Sequence, residues 1–167
     1  MKALIISADN FEDTELLYPF YRLVEEGIQV DIASLKKGEI KGKHGYKVPA
    51  NLSIEEVAPE VYDLLILPGG RAPSALRENP RVLEVVKAFY SAGKPIGAIC
   101  HGPQILISAG LLKGKRATAY KSVAKELIEA GAHYEDKEAV IDGKIVTSRM
   151  PPDLPYFMRA LLGLLKK

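Results

Sequence analysis

Short apolar runs alternate with stretches of helical period along this chain, and that alternation leaves few folds open. Residues 3–7 are a continuous apolar run, as expected of a parallel strand covered on both faces. Residues 14–26 space Leu16, Leu17, Phe20, Leu23 and Val24 at helical intervals, and Gly27 closes the helix. Pro19 falls within its first turns and is expected to bend it slightly. A second strand covers 29–34. The Gly- and Lys-rich stretch 38–49, with Tyr46 and Val48, predicts turns and a short edge hairpin. Strand 63–67 ends at Pro68-Gly69-Gly70, and a helix over 80–92 precedes a strand that runs into Cys100. A helix over 103–109, a short strand over 117–120 and a helix over 123–130 closed by Gly131 follow. Residues 138–141 and 144–148 read as a hairpin around the favoured turn dipeptide Asp142-Gly143. Asp153 is placed to cap a last helix ending near Leu165. The predicted fold class is α/β: a flavodoxin-like three-layer sandwich, mostly parallel, with helices on both faces and a small hairpin.

A length of 167 residues with 47% hydrophobic content suits one domain, 1–167, with a single core. The net charge of +2 is spread along the chain, which argues against a nucleic-acid footprint. Lys166-Lys167 reads as a favourable helix C-terminus rather than a binding tail. One cysteine excludes an internal disulfide and fits a reducing compartment. The N-terminal run turns polar at Asp9-Asn10, too early for a signal-peptide core, and no apolar stretch is long enough to span a membrane. A cytoplasmic protein is expected. Scarce Asn and Gln beside abundant Lys and Glu point to a thermophilic source.

In an open parallel sheet the site lies at the carboxyl ends of the strands, and three of those ends carry chemistry. The first is Ala8-Asp9-Asn10-Phe11-Glu12-Asp13, whose acids, taken alone, read as helix-dipole partners. The second is Leu67-Pro68-Gly69-Gly70-Arg71-Ala72-Pro73. Its glycines serve either a tight turn or a close backbone approach of the oxyanion-hole kind. The third is Ile99-Cys100-His101-Gly102-Pro103-Gln104, in which a strand, a sharp turn and a helix succeed one another as in a nucleophile elbow. Small residues Gly97, Ala98 and Gly102 permit the turn. A buried structural thiol is the alternative for a free cysteine, but at this turn, beside His101, the reactive reading is preferred. The helix N-terminus is then expected to lower the thiol pKa.

These motifs, the first of them read as Asn10-Phe11-Glu12-Asp13-Thr14-Glu15, together with Gly42-Lys43-His44-Gly45-Tyr46 and Thr147-Ser148-Arg149-Met150-Pro151-Pro152-Asp153-Leu154, are similar to those of the PfpI family of intracellular proteases and deglycases. That family lies within the class I glutamine amidotransferase-like superfamily, and the resemblance covers nearly the whole chain. It implies Cys100 as nucleophile, with Glu12 protonated and hydrogen-bonded to it. It implies His101 as base or acid, the N–H groups of Gly70 and His101 as oxyanion donors, and Tyr120 as a pocket residue. Dimers are implied, with hexameric rings in the archaeal branch, and no cofactor or metal. Archaeal relatives carry an acid directly after Arg-Ala-Pro, supplied by a neighbouring subunit to orient the histidine. Here Ser74 stands there, and Glu78, one turn on, is the substitute at hand. That departure weighs against strong peptidase activity more than against carbonyl-adduct chemistry.

Other candidates are weaker. His133-Tyr134-Glu135 imitates a His-x-Glu pair but follows Cys100 too closely and enters a predicted strand. His44 reads as a turn residue, and Arg149 as a structural, interface or substrate-touching arginine. No Cys/His cluster has metal-ligand spacing. The expected activity is cysteine-dependent hydrolysis of deglycase or glyoxalase type on methylglyoxal or its early adducts, with peptidase activity on small peptides. Nucleic acid enters only as a glycated substrate. The alternative is a non-enzymatic redox sensor or stress-related binding protein that uses an oxidisable Cys100.

Overall fold

The computed structural model describes residues 1–166; Lys167 of the C-terminal lysine pair lies outside them. Its strands are β1 (Lys2–Ile6), β2 (Gln29–Ser34), β3 (Gly38–Lys41), β4 (Lys47–Ala50), β5 (Leu52–Ser53), β6 (Leu64–Leu67), β7 (Ile96–Ile99), β8 (Arg116–Ala117), β9 (His133–Tyr134), β10 (Val140–Asp142) and β11 (Ile145–Ser148). Its helices are α1 (Asp13–Glu25), α2 (Ala72–Leu76), α3 (Pro80–Ser91), α4 (Pro103–Ser108), α5 (Ala124–Glu129) and α6 (Leu154–Leu165). Seven strands form one sheet in the order β10-β11-β7-β6-β1-β2-β5. Its pairings are parallel except β10 with β11. This is a flavodoxin-like α/β sandwich.

Strand order explains where the helices go. From β1 the chain moves outward to β2 through α1, then returns to β6 on the other side of β1 and moves outward to β7 through α3. Right-handed crossovers in opposite directions put α1 and α3 on opposite faces. α6 packs with α1 and against β7 and β11, while α2, α3 and α4 pack among themselves. β6 and β7 are buried along their whole length and β1 from Ala3 onward, so these strands are apolar at every position, including those facing each helix layer. Gly97 serves this packing rather than the turn beyond it. A Cβ there would sit 2.5 Å from Leu161 Cδ1 and 2.7 Å from Phe157 Cζ of α6.

Several local expectations are corrected. The 38–49 hairpin forms as β3 and β4 but pairs only with itself, and β5 supplies the sheet edge instead. The strand expected at 117–120 is cut to β8, because Thr118 N–H donates to Thr147 Oγ1 (2.9 Å) and Tyr120 N–H to the Cys100 carbonyl (2.9 Å). Asp142 pairs with Ile145, so the hairpin turn is Gly143-Lys144, one residue later than the dipeptide predicts. The Asp142 carboxylate instead accepts from Arg116 N–H at 2.8 Å. Asp153 stands at the N-cap of α6 but makes no capping bond; its carboxylate is held by Arg149.

Candidate active site

The carboxyl ends of β1, β6 and β7 are neighbours, with the switch in chain direction at β1 and β6, so the three loaded loops meet at one place. Cys100 has φ 66°, left-handed for a residue with a Cβ, a conformation that costs roughly 1–2 kcal/mol. Its surroundings impose it. Cys100 N–H donates to Ser148 O (2.9 Å), its carbonyl accepts from Tyr120 N–H (2.9 Å), and Gly102 N–H turns back to Ile99 O (2.9 Å). A Cβ on Gly102 would collide with the Leu67 carbonyl oxygen, so the elbow needs glycine there.

The β1 and β6 loops are stitched together by backbone. Phe11 and Gly70 form a strand-like bridge, Glu12 N–H donates to Gly69 O (3.2 Å), and Arg71 N–H donates to Asn10 O (2.8 Å). Gly70 has φ 81°, and a Cβ would lie 2.5 Å from Asn10 O. The tight-turn reading of the glycine pair is therefore met at Gly70. The turn needs positive φ, and the backbone N–H groups of Gly70 and His101 favour the Cys100 thiolate. α4 has only six residues, so these two oriented N–H groups, rather than a long helix dipole, set the local field.

The carboxyl that faces the sulfur belongs to Glu15, not Glu12. Glu12 precedes α1 in extended backbone and turns toward the β3–β4 loop. There its Oε2 meets Lys43 Nζ at 2.8 Å and His44 Nε2 at 3.4 Å, and Thr14 Oγ1 donates to its Oε1 at 3.4 Å. Glu15 lies in the first turn of α1, among the buried residues of that helix with Leu16, Pro19 and Leu23, and is 0% exposed. Its Oε1 accepts from Gly69 N–H at 2.9 Å, and the carboxyl faces Cys100. Glu15 was legible in principle, as an acid at a core position of an amphipathic helix. Asp13 is also buried, but it is consumed by structure, accepting from the N–H groups of His44 and Tyr46, each at 3.0 Å.

Burial raises the Glu15 carboxyl from 4.5 to about 8, against the Gly69 hydrogen bond that lowers it. Burial likewise pushes the Cys100 thiol up, to about 12, and the charge of an ionised Glu15 adds to the rise. The N–H groups of Gly70 and His101 and the Lys43 ammonium pull the other way. The expected acidic thiol is thus opposed by desolvation in the closed pocket. Glu15 and Cys100 form a coupled pair. Below pH 8 Glu15 keeps its proton, which removes the like charge and leaves an O–H to donate to sulfur.

His101 Nδ1 lies 3.3 Å from Cys100 Sγ. Its ring is stacked on Tyr120 (centroids 5.3 Å apart, planes at 28°), and burial, then Lys43, lowers its pKa. Tyr120 also lines a cavity of about 300 Å³ with Lys121, Tyr134, Asp136, Arg149 and Met150. Arg149 is tied to Asp153 (2.9 Å), Asp136 (3.0 Å) and Glu138 (3.7 Å), a structural arginine that also walls this cavity. His133 lies on β9, paired with β8, and Glu135 pairs with Arg116 and Lys137. Among the described residues no group of three or more His, Cys, Asp or Glu is placed to hold a metal, and no helix is long and apolar enough to cross a membrane.

The comparisons with known proteins fit this architecture. The DJ-1/PfpI family profile matches residues 1–164. A deglycase of Pyrococcus abyssi is 53% identical over 99% of this chain and 100% of its own length. Protein/nucleic acid deglycase 2 of Escherichia coli is 41% identical over 98% of this chain and 97% of its own. A two-domain protein from Anabaena variabilis with DJ-1/ThiJ/PfpI-like and ferritin-like domains superposes with a TM-score of 0.97 at 36% identity, over 99% of this chain and 48% of that one. By sequence over nearly its full length and by fold, the chain belongs to the DJ-1/PfpI family.

Proposed function

We propose that this chain is a cysteine-dependent enzyme of deglycase and glyoxalase type, acting on methylglyoxal and its early adducts. One observation carries the reading. Cys100 Sγ is met by the N–H groups of Gly70 and His101, by His101 Nδ1 at 3.3 Å and by the buried Glu15 carboxyl, all in one pocket. The thiolate adds to the aldehyde carbon, and the oxygen that becomes negative takes the two N–H donors. With free methylglyoxal the product is a hemithioacetal; with an aminocarbinol adduct the amine leaves. Moving hydrogen from the aldehyde carbon to its neighbour gives a lactoyl thioester, which water hydrolyses to lactate and free thiol. That internal redox step needs no external oxidant. His101 and Glu15 are the groups able to carry protons during it. Relatives named deglycases, in Pyrococcus abyssi and Escherichia coli, support the substrate class.

Peptide cleavage is the secondary activity, because amide hydrolysis must protonate a poor leaving amine from an imidazolium. Among the described residues no carboxylate pairs with His101 to stabilise one. We also place the protein in the cytoplasm, on the strength of its single cysteine. We further propose a homo-oligomer, a dimer or hexamer, supported by the exposed Tyr18, Tyr21, Val24 and Tyr46. The test measures lactate release from methylglyoxal and from methylglyoxal-treated N-acetyl-lysine, beside cleavage of fluorogenic peptides, for wild type and Cys100→Ala. The expected result is turnover of both aldehyde substrates, abolished in Cys100→Ala. Wild type inert on them, or an active Cys100→Ala, overturns the reading. Inert protein whose oxidation at Cys100 changes partner binding points to the sensor instead.

A further inference from the structure

His101 has a second ring nitrogen, and the structure gives it a partner within the chain. Nε2 lies 3.4 Å from Ser122 Oγ, on the short helical turn Lys121–Val123 that leads into α5. With Nδ1 at Cys100 Sγ and one face against Tyr120, the imidazole is thereby held at both nitrogens and on its face. Within the chain Ser74 does not reach the ring; its hydroxyl donates to the carbonyl of Arg71 at 2.8 Å within its own turn. Glu78 makes no ion pair or side-chain hydrogen bond with His101 among the described residues.

We propose that Ser122 is the positioning residue of His101 and the outlet through which its proton reaches solvent. The inference rests on the thiol chemistry assigned above. A hydroxyl can donate to a bare Nε2 or accept from a protonated one, so it supports either tautomer of a neutral imidazole. When the thiol passes its proton to Nδ1, the S–H bond breaks, an Nδ1–H bond forms, and the ring carries two protons. Nε2–H then donates to Ser122 Oγ, whose own proton passes to water, because residue 122 is exposed. The ring returns to a neutral Nδ1–H form that can give its proton to the reacting oxygen. A carboxylate in this place would only accept, and would hold the imidazolium; a serine lets the proton leave. Burial and the Lys43 charge, which both disfavour imidazolium, act in the same sense.

Ser122→Ala, Ser122→Thr and wild type separate this from a structural role. Nitrogen-15 shifts of the His101 ring report the tautomer balance, and iodoacetamide rates at Cys100 against pH report proton release; neither needs a substrate. Ser122→Ala is expected to shift the tautomer balance and to move the alkylation profile, with unfolding temperature unchanged. On methylglyoxal its kcat is expected to fall about 5–20-fold at constant KM, a fraction of what general acid–base catalysis supplies. Ser122→Thr, which keeps the hydroxyl, is expected to restore all three. Unchanged ring shifts together with an unchanged alkylation profile in Ser122→Ala overturn the proposal. Should wild type not turn over methylglyoxal, the substrate assignment fails, while the ring shifts and alkylation still decide the role of Ser122.

Discussion

Glu15 and Cys100 face each other across a single glycine. A Cβ added at Gly69 would lie 2.6 Å from Glu15 Oε1 and 2.7 Å from Cys100 Cβ. The pair is therefore in register only because residue 69 has no side chain, and the same residue's N–H holds the Glu15 carboxyl at 2.9 Å.

Gly69→Ala is expected to push the carboxyl off the sulfur. Overpacking of this kind costs roughly 1–3 kcal/mol, since neither the helix carrying Glu15 nor the elbow is free to retreat. Urea denaturation reads the loss of stability, and iodoacetamide modification reads the slower thiol. Wild-type values in both would show that the contact is not tight.

Burial of Glu15 predicts a pH dependence of stability. Its pKa is 4.5 as an ordinary group and about 8 in the fold. Between those values the folded chain keeps a proton that the unfolded chain has lost. The stability associated with neutral Glu15 is thus complete below about pH 4.5 and is lost as pH rises through about 8. Glu15→Gln keeps the acceptor for Gly69 N–H without an ionisable group. It is expected to change stability little at pH 4 and to raise it by up to about 4 kcal/mol at pH 8. Denaturation of both proteins across that range checks it, and a difference independent of pH counts against a raised Glu15.

Reactivity should move the opposite way. With Glu15 present, two coupled ionisations shape the thiol's alkylation profile, because the ionised carboxylate opposes the thiolate and the neutral acid donates to it. Glu15→Gln is expected to collapse the profile to one step, since its amide N–H donates at every pH. Glu15→Leu removes the donor and the like charge together; because Glu15 is ionised where the thiol titrates, the midpoint is expected to move downward, by less than in Glu15→Gln. Thiolate absorbance and iodoacetamide rates measure it. Profiles identical in all three proteins would remove Glu15 from the pair.

The parts of this molecule that were legible in sequence are those where one local rule dominates. β1, β6 and β7 are apolar at nearly every position because both faces are covered, and the elbow at Cys100 follows from small residues between a strand and a helix. Tertiary contacts decided the rest. Tyr120 reads as part of a strand, yet its N–H is taken by the Cys100 carbonyl. Asp153 reads as a cap, yet a nearby guanidinium takes both its oxygens. Glu12 and Glu15 differ by less than one helical turn, and position 12 matches the helical spacing of Leu16, Pro19 and Leu23 as well as position 15 does. Choosing between them requires the start of α1, which leaves Glu12 outside in extended backbone and Glu15 within the first turn, and the sequence does not mark that start sharply enough.

Among the described residues, Lys43 is the cation that bears on the titrations of both His101 and Cys100. Its Nζ is 2.8 Å from Glu12 Oε2, and its charge lowers both the His101 imidazole and the Cys100 thiol. Lys43→Met keeps the length of the side chain and removes the charge. His101 should then titrate closer to its ordinary value, that is, upward, because a nearby cation no longer opposes its protonation. The thiol should rise as well, for a thiolate loses a favourable neighbour. The two groups thus shift in the same direction, whereas loosening of the pocket would admit water and move them apart, His101 up and the thiol down. Proton NMR of His101 and alkylation of Cys100, followed against pH in the same variant, distinguish these outcomes. A His101 titration unmoved by Lys43→Met would show that the ammonium's charge does not reach the imidazole.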